Sequence, residues 1–465
     1  MIFNESDLNK HWGLKSLEDL GIVQRGKSKH RPRNDSRLFE NGTIPLVQTG
    51  DIKAANLFIY EANEFYNEFG LHQSKLWDEG TLCITIAANI AETAILKRRM
   101  CFPDSIVGFI PYKGKTTSLY IHYLFTYIRY RIQNSIQGSI QDNINIDYLT
   151  KLKFRIPEFA VQQKIAKVLS DLDAKIELNN RINSELEAMA KLMYEYWFVQ
   201  FDFPFNFAST SLSTGAQGRP DVTLSGVEGY KSSGGKMVWN KELKREIPEG
   251  WEVKTLRKIA KTGSGGTPLS NKREYYENGN IPWINSGEVN NPFIISSEKK
   301  ITKAGLENSS AKLFPKGTIL MAMYGATAGK VSLIDFEAST NQAICAIMPN
   351  QDVYRYFIKF KLETLYEFLV NLSSGSARDN LSQEKIRELK FVLPDSQILD
   401  NFHKTISPFM AKILKNLKQN QELSTLRDWL LPMLMNGQVS VADAEERVEE
   451  ELGMVAERRE SYKKE

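Results

Sequence analysis

Cysteine is scarce in this 465-residue chain: only Cys83, Cys101 and Cys345 occur, too few and too scattered for a disulfide framework or a thiolate zinc site. Their expected place is as small buried hydrophobes in a reducing cytosol. The 5 histidines, His11, His30, His72, His122 and His403, do not cluster. Long apolar runs are missing too. The best candidate, residues 81–91, falls short of the ~18 residues that span a bilayer and runs into Lys97, Arg98 and Arg99. The opening MIFNESDLNKHWG has neither the basic nor the apolar region of a secretory signal. Strong charge of one sign is also lacking, with 60 Lys and Arg against 56 Asp and Glu, a net +4. The resulting pI near 8.6 stays below the ~9 usual for a nucleic-acid-binding domain. Hydrophobic residues at 42% and charged residues at 25% exclude collagen-like and wholly disordered chains. Division by ~150 residues per domain suggests about three domains.

Catalytic motifs are missing as well. Gly325 to Lys330 reads GATAGK, one residue short of GxxxxGK[ST], and Val331 stands where a metal-binding hydroxyl belongs. The run Gly263-Ser264-Gly265-Gly266 lacks the GxGxxG spacing that presents a helix N-terminus to a pyrophosphate. HExxH does not occur. An adenine methyltransferase would show (N/D)PP(Y/F) to hold a flipped base; Asn291-Pro292-Phe293 is short of one proline and reads as a turn. The expectation is a chain that performs no chemistry itself.

What the chain does contain is a duplication. At an offset of 237, Gly50 falls on Gly287, Ile44-Pro45 on Ile281-Pro282, Lys75-Leu76 on Lys312-Leu313 and Gly80-Thr81 on Gly317-Thr318. Residues 138–157 fall on 375–394 with eight of twenty identities, including Asp142-Asn143 and Leu152-Lys153-Phe154. Unrelated segments would share one or two. The openings match with a two-residue slip, Lys15-Ser16-Leu17 on Lys254-Thr255-Leu256. Each copy is far longer than a solenoid repeat of ~20–50 residues. TLCITIAA, IVGFIPY, TILMAMY and ICAIMP predict strands, separated by Gly- and Asn-rich joints. Residues 119–132 and 354–372 predict helices. The first part of each copy is therefore an α+β domain.

The second part predicts a long helix. Ile165, Leu169, Leu172, Ile176, Asn179, Asn183, Leu186, Ala190 and Met193 alternate by four and three, the spacing of a coiled-coil seam. The same offset puts Phe402, Ile406, Phe409, Ile413, Asn416, Asn420, Leu423, Arg427 and Leu430 on a second seam. About 40 residues make a rod of about 60 Å. Two readings stand: the helices pack separately on their own domains, or they pair antiparallel. A pair of mid-seam Asn at equal positions favours pairing, because a polar seam residue costs stability and sets register. Asn179 would then lie near Asn420 and Asn183 near Asn416.

Charge is placed unevenly. Residues 443–465 hold nine acidic and five basic residues and predict a solvated helical tail, so residues 1–442 carry +8. Residues 206–235, rich in Ser, Thr and Gly, predict an exposed loop or linker. Residues 24–37, QRGKSKHRPRNDSR, carry six Lys or Arg against one Asp. That segment is either a solvated basic loop or one that gains DNA affinity by counterion release. Its counterpart TGSGGTPLSNKRE has only Lys272 and Arg273 but many hydroxyls and backbone amides, which also hold phosphate.

Taken in order, these strings resemble the specificity (S) subunit of type I restriction–modification systems over essentially the whole chain. The carrying motifs are IPEGWEVKTLRKIAKTGSGGTP, IPWINSGEVN, KLFPKGTILMAMYGATAGKVSLI, SGSARDNLSQEKIRELKFVLP and LSTLRDWLLPMLMNGQV. WFVQFDFPF with GYKSSGGKMVWNKELKREIPEGW adds the pattern where such subunits join their halves. Module one departs at HWGLKSLEDLG and at ANIAET, where the second reads YGATAG.

The resemblance implies two tandem α+β target recognition domains, residues 1–157 and 248–394. Each is followed by a long helix, residues 158–200 and 395–436, with a linker and lead-in at 201–247 and an acidic helical tail at 437–465. The helices would form an antiparallel coiled coil with pseudo-twofold symmetry and set the spacer of a bipartite DNA target. Implied partners are double-stranded DNA, two methyltransferase (modification) subunits and translocase–endonuclease (restriction) subunits. S-adenosylmethionine, ATP and Mg would be bound by those partners, with no cofactor or metal in this chain, and the location would be a prokaryotic cytoplasm. Expected DNA-binding residues in half one are Arg25, Lys27, Lys29, Arg31, Arg33, Gln48, Thr49, Gln137 and Ser139. Those in half two are Ser264, Thr267, Lys272, Arg273, Asn285, Ser286, Ser374 and Ser376. Two other readings remain open: an enzyme with cryptic motifs, and a scaffold whose coiled coil only dimerises.

Overall fold

The computed structural model describes residues 2–87, 90–137, 146–205, 229–231, 236–373 and 381–461. The chain divides into two compact units, one of residues 1–178 with 419–465 and one of residues 179–418. Both boundaries fall inside the long helices Phe159–Tyr194 and Ser396–Met435. Each unit thus contains one α+β domain and a stretch of both helices.

In the first unit the main sheet has the strand order Gly21–Arg25, Ile106–Pro111, Leu82–Thr85, Thr93–Leu96, Phe58–Ile59. All its pairings are antiparallel except the last. Leu82–Thr85 is buried along its whole length, which explains its continuous apolar run. Successive side chains point to opposite faces. Leu82 and Ile84 join the core formed with helix Ser118–Gln137, while Cys83 joins the cluster of Trp77, Leu96 and Phe102 on the other face. A second sheet has the order Glu64–Tyr66, Ile44–Leu46, Met100–Cys101, Leu76–Trp77. Strand Gly13–Ser16 pairs with Lys153–Ile156, bringing the ends of the domain together.

The second unit repeats this plan. Its main sheet runs Ala260–Ser264, Ile344–Pro349, Ile319–Ala322, Val331–Ile334, Phe293–Ile294, and its second Lys299–Ile301, Ile281–Ile284, Ala338–Thr340, Leu313–Phe314. Ile319 and Met321 face one core, Leu320 and Ala322 the other. Glu252–Thr255 pairs with Lys390–Leu393. The helix expected over 354–372 is two, Tyr354–Thr364 and Tyr366–Ser373, broken at Leu365. All three cysteines are free and buried. Burial pushes the Cys101 thiol up to about 11 and that of Cys345 to about 12.

The long helices have definite ends. Ser396–Met435 begins where the Asp395 carboxylate accepts from the Ile398 amide at 3.1 Å, a side-chain cap. It stops at Gly437, whose φ of +77° suits glycine. Phe159–Tyr194 continues into a π-turn, Glu195–Val199. In the second unit Asn416 Nδ2 donates to Asn183 Oδ1 at 2.8 Å, and Tyr194, Trp197 and Phe198 stack around Phe402. Residue numbers rise along one helix as they fall along the other, so this stretch is antiparallel. The same aromatic cluster takes in Phe357 and Phe360 of the domain helix, with Phe201 and Phe203 against Trp251. In the first unit Ile165, Leu169, Leu172 and Ile176 share a core with Leu423, Leu430 and Leu434. Asn179 is fully buried; Asn420 is half-buried.

One sequence expectation is corrected. The acidic tail is a helix, Val441–Ser461, but it is not wholly solvated, because Ala444 and Val448 pack into the first unit's core and Arg447 lies over Trp429. Its apolar positions four apart form a face that must be covered. The stretch at 201–247 holds paired strands, Phe203–Phe205 with Gly229–Lys231 and Met237–Asn240 with Arg245–Pro248. Residues 206–228 and 232–235 of the expected linker lie outside the described residues. No helix among the described residues is long and apolar enough to cross a membrane.

Each domain helix is docked by a charge. In the first unit the Tyr123 hydroxyl donates to Asp173 at 2.6 Å, and Arg427 Nη1 donates to the other Asp173 oxygen at 2.6 Å. Three segments thus converge on one carboxylate. In the second unit the buried Lys359 ammonium meets Glu363 and, at 3.8 Å, Glu187 of helix Phe159–Tyr194. The repeat equivalents of Asp173 and Arg427 there are Met410 and Ala190, both fully buried and apolar.

Asn183 Nδ2 and Asn416 Oδ1 are buried without a hydrogen-bond partner. Replacing both residues by Leu should therefore raise the melting temperature, by about 1–2 kcal/mol of stability, because two unsatisfied polar atoms go with the pair. Asn183→Leu alone leaves the Asn416 amide buried and unpaired and should lower it. A second expectation concerns acid. Burial, with Arg129 and Arg427 nearby, holds the His122 imidazole down at about 3, against 6.5 for free histidine. The unfolded chain then binds the proton first, so this stabilisation is complete above about 6.5 and is lost as pH falls toward 3. Acid unfolding followed by circular dichroism should be less steep in that window for His122→Gln.

Candidate nucleic-acid interface

Two loops occupy the same place in the two domains, each leaving the edge strand of the main sheet. In the first unit, strand Gly21–Arg25 ends at Arg25, opposite Val107. Gly26 then lies so close to its neighbours that a Cβ would collide with the Pro103 carbonyl oxygen. The Gly26 amide donates to Ile106 O at 2.8 Å, Lys27 to Phe102 O at 3.2 Å and Lys29 to Gln73 O at 3.3 Å. The Gln73 side chain accepts from the His30 amide at 3.1 Å. A loop without helix or strand is thus held by its backbone, with Arg31 Nη1 donating to the Ser28 and His30 carbonyl oxygens at 2.8 and 2.7 Å. Arg25, Lys29, Arg31 and Arg33 are exposed and Lys27 is half-buried. Arg33 Nη2 pairs with Asp104 at 2.7 Å and Arg31 Nη2 lies 4.0 Å from the same carboxylate. Further along, Arg37 and His30 hold the Asp35 carboxyl well below the usual carboxylate range.

Beside this loop opens a cleft of about 630 Å³, lined by Ser28, Arg33, Asn34, Gln48, Glu64 and Ser105, among others. Gln48 and Thr49 start helix Thr49–Ala54: the Gln48 amide donates to Asp51 at 2.8 Å and its side chain donates to Glu64 at 2.9 Å. Asn63 donates to Asp51 at 2.7 Å. The fold therefore brings Arg33 and Gln48 to one cleft although they are distant in sequence.

In the second unit, Gly265 plays the part of Gly26, its absent Cβ giving room to the Thr340 carbonyl. Ser264 Oγ donates to Gln342 O at 3.3 Å and Thr267 Oγ1 to Gln342 Oε1 at 2.6 Å. Lys272 and Arg273 stand further on, both exposed, with the Lys272 ammonium 3.1 Å from the Tyr275 hydroxyl. Asn285 caps the short turn Ser286–Glu288, its amide donating to Glu288 at 2.7 Å, as Gln48 does toward Asp51. Thr327 donates to Ser286 O at 2.7 Å and Lys330 to Asn290 at 3.1 Å. Ser139, Ser374 and Ser376 lie outside the described residues, as does the side chain of Gln137, which closes helix Ser118–Gln137.

The P-loop look-alike is the hairpin between Ile319–Ala322 and Val331–Ile334. The amides of Ala328, Gly329 and Lys330 donate within the hairpin, to Gly325, Ala322 and Thr327, and no helix follows to receive a phosphate. Among the described residues no group of three His, Cys, Asp or Glu could hold a metal. Sequence reading missed Asp104 and Gln342, Asn63 and Glu64, and Asn290. The signal for the first pair was there: both stand two residues before a matched strand.

Comparison with known proteins also finds two copies. The model of the type I restriction modification DNA specificity domain matches the chain twice, over residues 9–188 and 248–425. The chain is similar to the type I restriction enzyme MjaIX specificity subunit of Methanocaldococcus jannaschii, 28% identical over 455 residues, covering 95% of this chain and 97% of that one. It is also similar to the HindI specificity subunit of Haemophilus influenzae, 29% identical over 328 residues, 64% of this chain and 71% of that one. Its fold is similar to that of the type I restriction–modification S subunit from M. genitalium, with a TM-score of 0.58 over 93% of this chain and 99% of that one, at 15% identity.

Because Gly26 and Gly265 permit the loops to lie against the sheet, Gly26→Val and Gly265→Val should each loosen one loop. Limited trypsin digestion should then cut faster at Lys27 and Lys29 in the first variant and at Lys272 and Arg273 in the second. Unchanged cleavage rates would show that other contacts hold the loops.

Proposed function

The chain belongs to the family of type I restriction modification DNA specificity domains and is a specificity subunit with two tandem recognition domains, and from that premise we propose how it divides the work. Each domain reads one half of a split DNA target, and the two long helices set the unspecified spacer between the halves. The observation that carries this reading is the pair of loops built on one plan and differing in side chains, cationic in the first unit and hydroxyl-rich in the second. In the first half Arg25, Lys27, Lys29, Arg31 and Arg33 contact phosphates, while Gln48 and Thr49 face base edges. In the second Ser264, Thr267, Lys272 and Arg273 take the backbone role, with Asn285 and Ser286 beside the bases. Asn and Gln match adenine edges and Arg guanine. Gln137, Ser139, Ser374 and Ser376 belong to the same proposed DNA-binding set.

The chain itself is read as non-catalytic. Two modification subunits dock on it and supply adenine methylation from S-adenosylmethionine, and restriction subunits supply ATP-driven translocation and cleavage with Mg. The whole assembly works in a prokaryotic cytoplasm.

Mapping N6-methyladenine in the host genome with and without this gene tests the reading directly. Loss of one split motif is the expected outcome. Methylation by the purified chain alone would make it an enzyme, and salt-insensitive or absent DNA binding would make it a scaffold. At the residue level, Arg31→Glu with Arg33→Glu should weaken binding to all sequences about equally and flatten the salt dependence by about two phosphate contacts. A changed base preference would instead assign those side chains to base reading.

A further inference from the structure

We propose that Asp104 is a built-in stand-in for a DNA phosphate, restraining the first unit's basic loop, and that Gln342 is its uncharged counterpart in the second. The proposal rests on the reading of these loops as DNA-facing. Asp104 stands two residues before strand Ile106–Pro111, and Gln342 two residues before Ile344–Pro349. The repeat therefore puts both at one place in the fold, and each reaches the loop that leaves the edge strand. The Asp104 carboxylate pairs with Arg33 at 2.7 Å and lies 4.0 Å from Arg31. The Gln342 amide oxygen accepts from Thr267 at 2.6 Å. The tether is the same and its charge is not.

Chemistry makes the carboxylate more than a tether. Guanidinium donates to carboxylate and phosphate oxygens alike, so Asp104 occupies the place a phosphodiester would take. The side chains of Arg31, Arg33 and Asp104 are 55%, 50% and 34% exposed, and an exposed pair of this kind is weak enough to exchange. A phosphate approaching the two arginines must displace Asp104 or sit beside its negative charge. Both outcomes reduce the sequence-independent part of binding, and they leave discrimination to contacts with bases. The restraint is placed where the chain is most basic. At the matching place in the second unit the loop offers a hydroxyl, and the neutral Gln342 suffices to hold it.

The test uses the full chain, a scrambled duplex and fluorescence anisotropy across a salt series. Asp104→Asn keeps an oxygen that accepts from Arg33 and should leave the melting temperature unchanged. It should raise affinity for the scrambled duplex about three- to tenfold at low salt and steepen the slope of log K against log salt by about one. Gln342→Glu, which adds the charge to the second unit, should lower that affinity, and it provides an independent reading should the first variant fold poorly. Unchanged or weaker affinity in Asp104→Asn, an unchanged slope, or an altered base preference would overturn the proposal. The charge reversal of Arg31 and Arg33 separates the two levels. If that reversal leaves DNA binding intact, the DNA-facing reading of the loop fails; if it weakens binding while Asp104→Asn does nothing, only the phosphate stand-in fails.

Discussion

The Asp173 carboxylate, held between the Tyr123 hydroxyl and the Arg427 guanidinium, is the contact on which the first unit's geometry depends. It ties the domain helix Ser118–Gln137 to the long helices Phe159–Tyr194 and Ser396–Met435 at one point. Removing one partner of a buried charge network leaves the rest uncompensated and costs about 3–5 kcal/mol, so the three segments have one acceptable arrangement. The second unit reaches the same end with Lys359 between Glu187 and Glu363, and with aromatic packing around Phe402. A recognition domain needs its loops held at a defined angle to the helices packed against it. Nonpolar packing alone tolerates small slides; a hydrogen-bonded charge does not.

Above these anchors the two domains share a two-faced sheet. Leu82 and Ile84 look to one core and Cys83 to the other, as Ile319, Met321, Leu320 and Ala322 do in the second copy. Such a sheet has no free face for function, which leaves the loops at its edge. There the constraint is reversed. Gly26 and Gly265 keep the loop backbones close to the sheet, and the side chains beyond them differ freely between the copies.

Some of this was legible in residues alone. The offset of 237 exposes the duplication, and the alternation of four and three exposes the long helices, because both are periodicities of the chain itself. The acidic tail shows the opposite case. Its charge count predicts a solvated helix, yet Ala444 and Val448 bury, since two apolar residues four apart are enough for a face and too few to stand out in composition. The near-P-loop, one residue short in sequence, is a hairpin in which the Ala328, Gly329 and Lys330 amides bond within the turn. Within the candidate interface, the basic segment was visible as composition. The meeting of Arg33 with Asp104 was not, because residues 71 positions apart become neighbours only when the edge strand pairs with the strand after Asp104.

Residue order alone establishes that this chain is one module used twice, α+β domain followed by long helix, with cation concentrated in one loop. Repetition, helical periodicity and charge are local or self-referential properties, readable without knowing what lies beside what. Tertiary structure alone decided which charges are spent inside the fold and which remain for a partner. Arg427 is bound to a buried carboxylate, Arg33 is shared with Asp104, and Lys359 is enclosed. Each looks alike in the sequence, and the difference lies in the dielectric and the counter-charge that long-range packing brings to it.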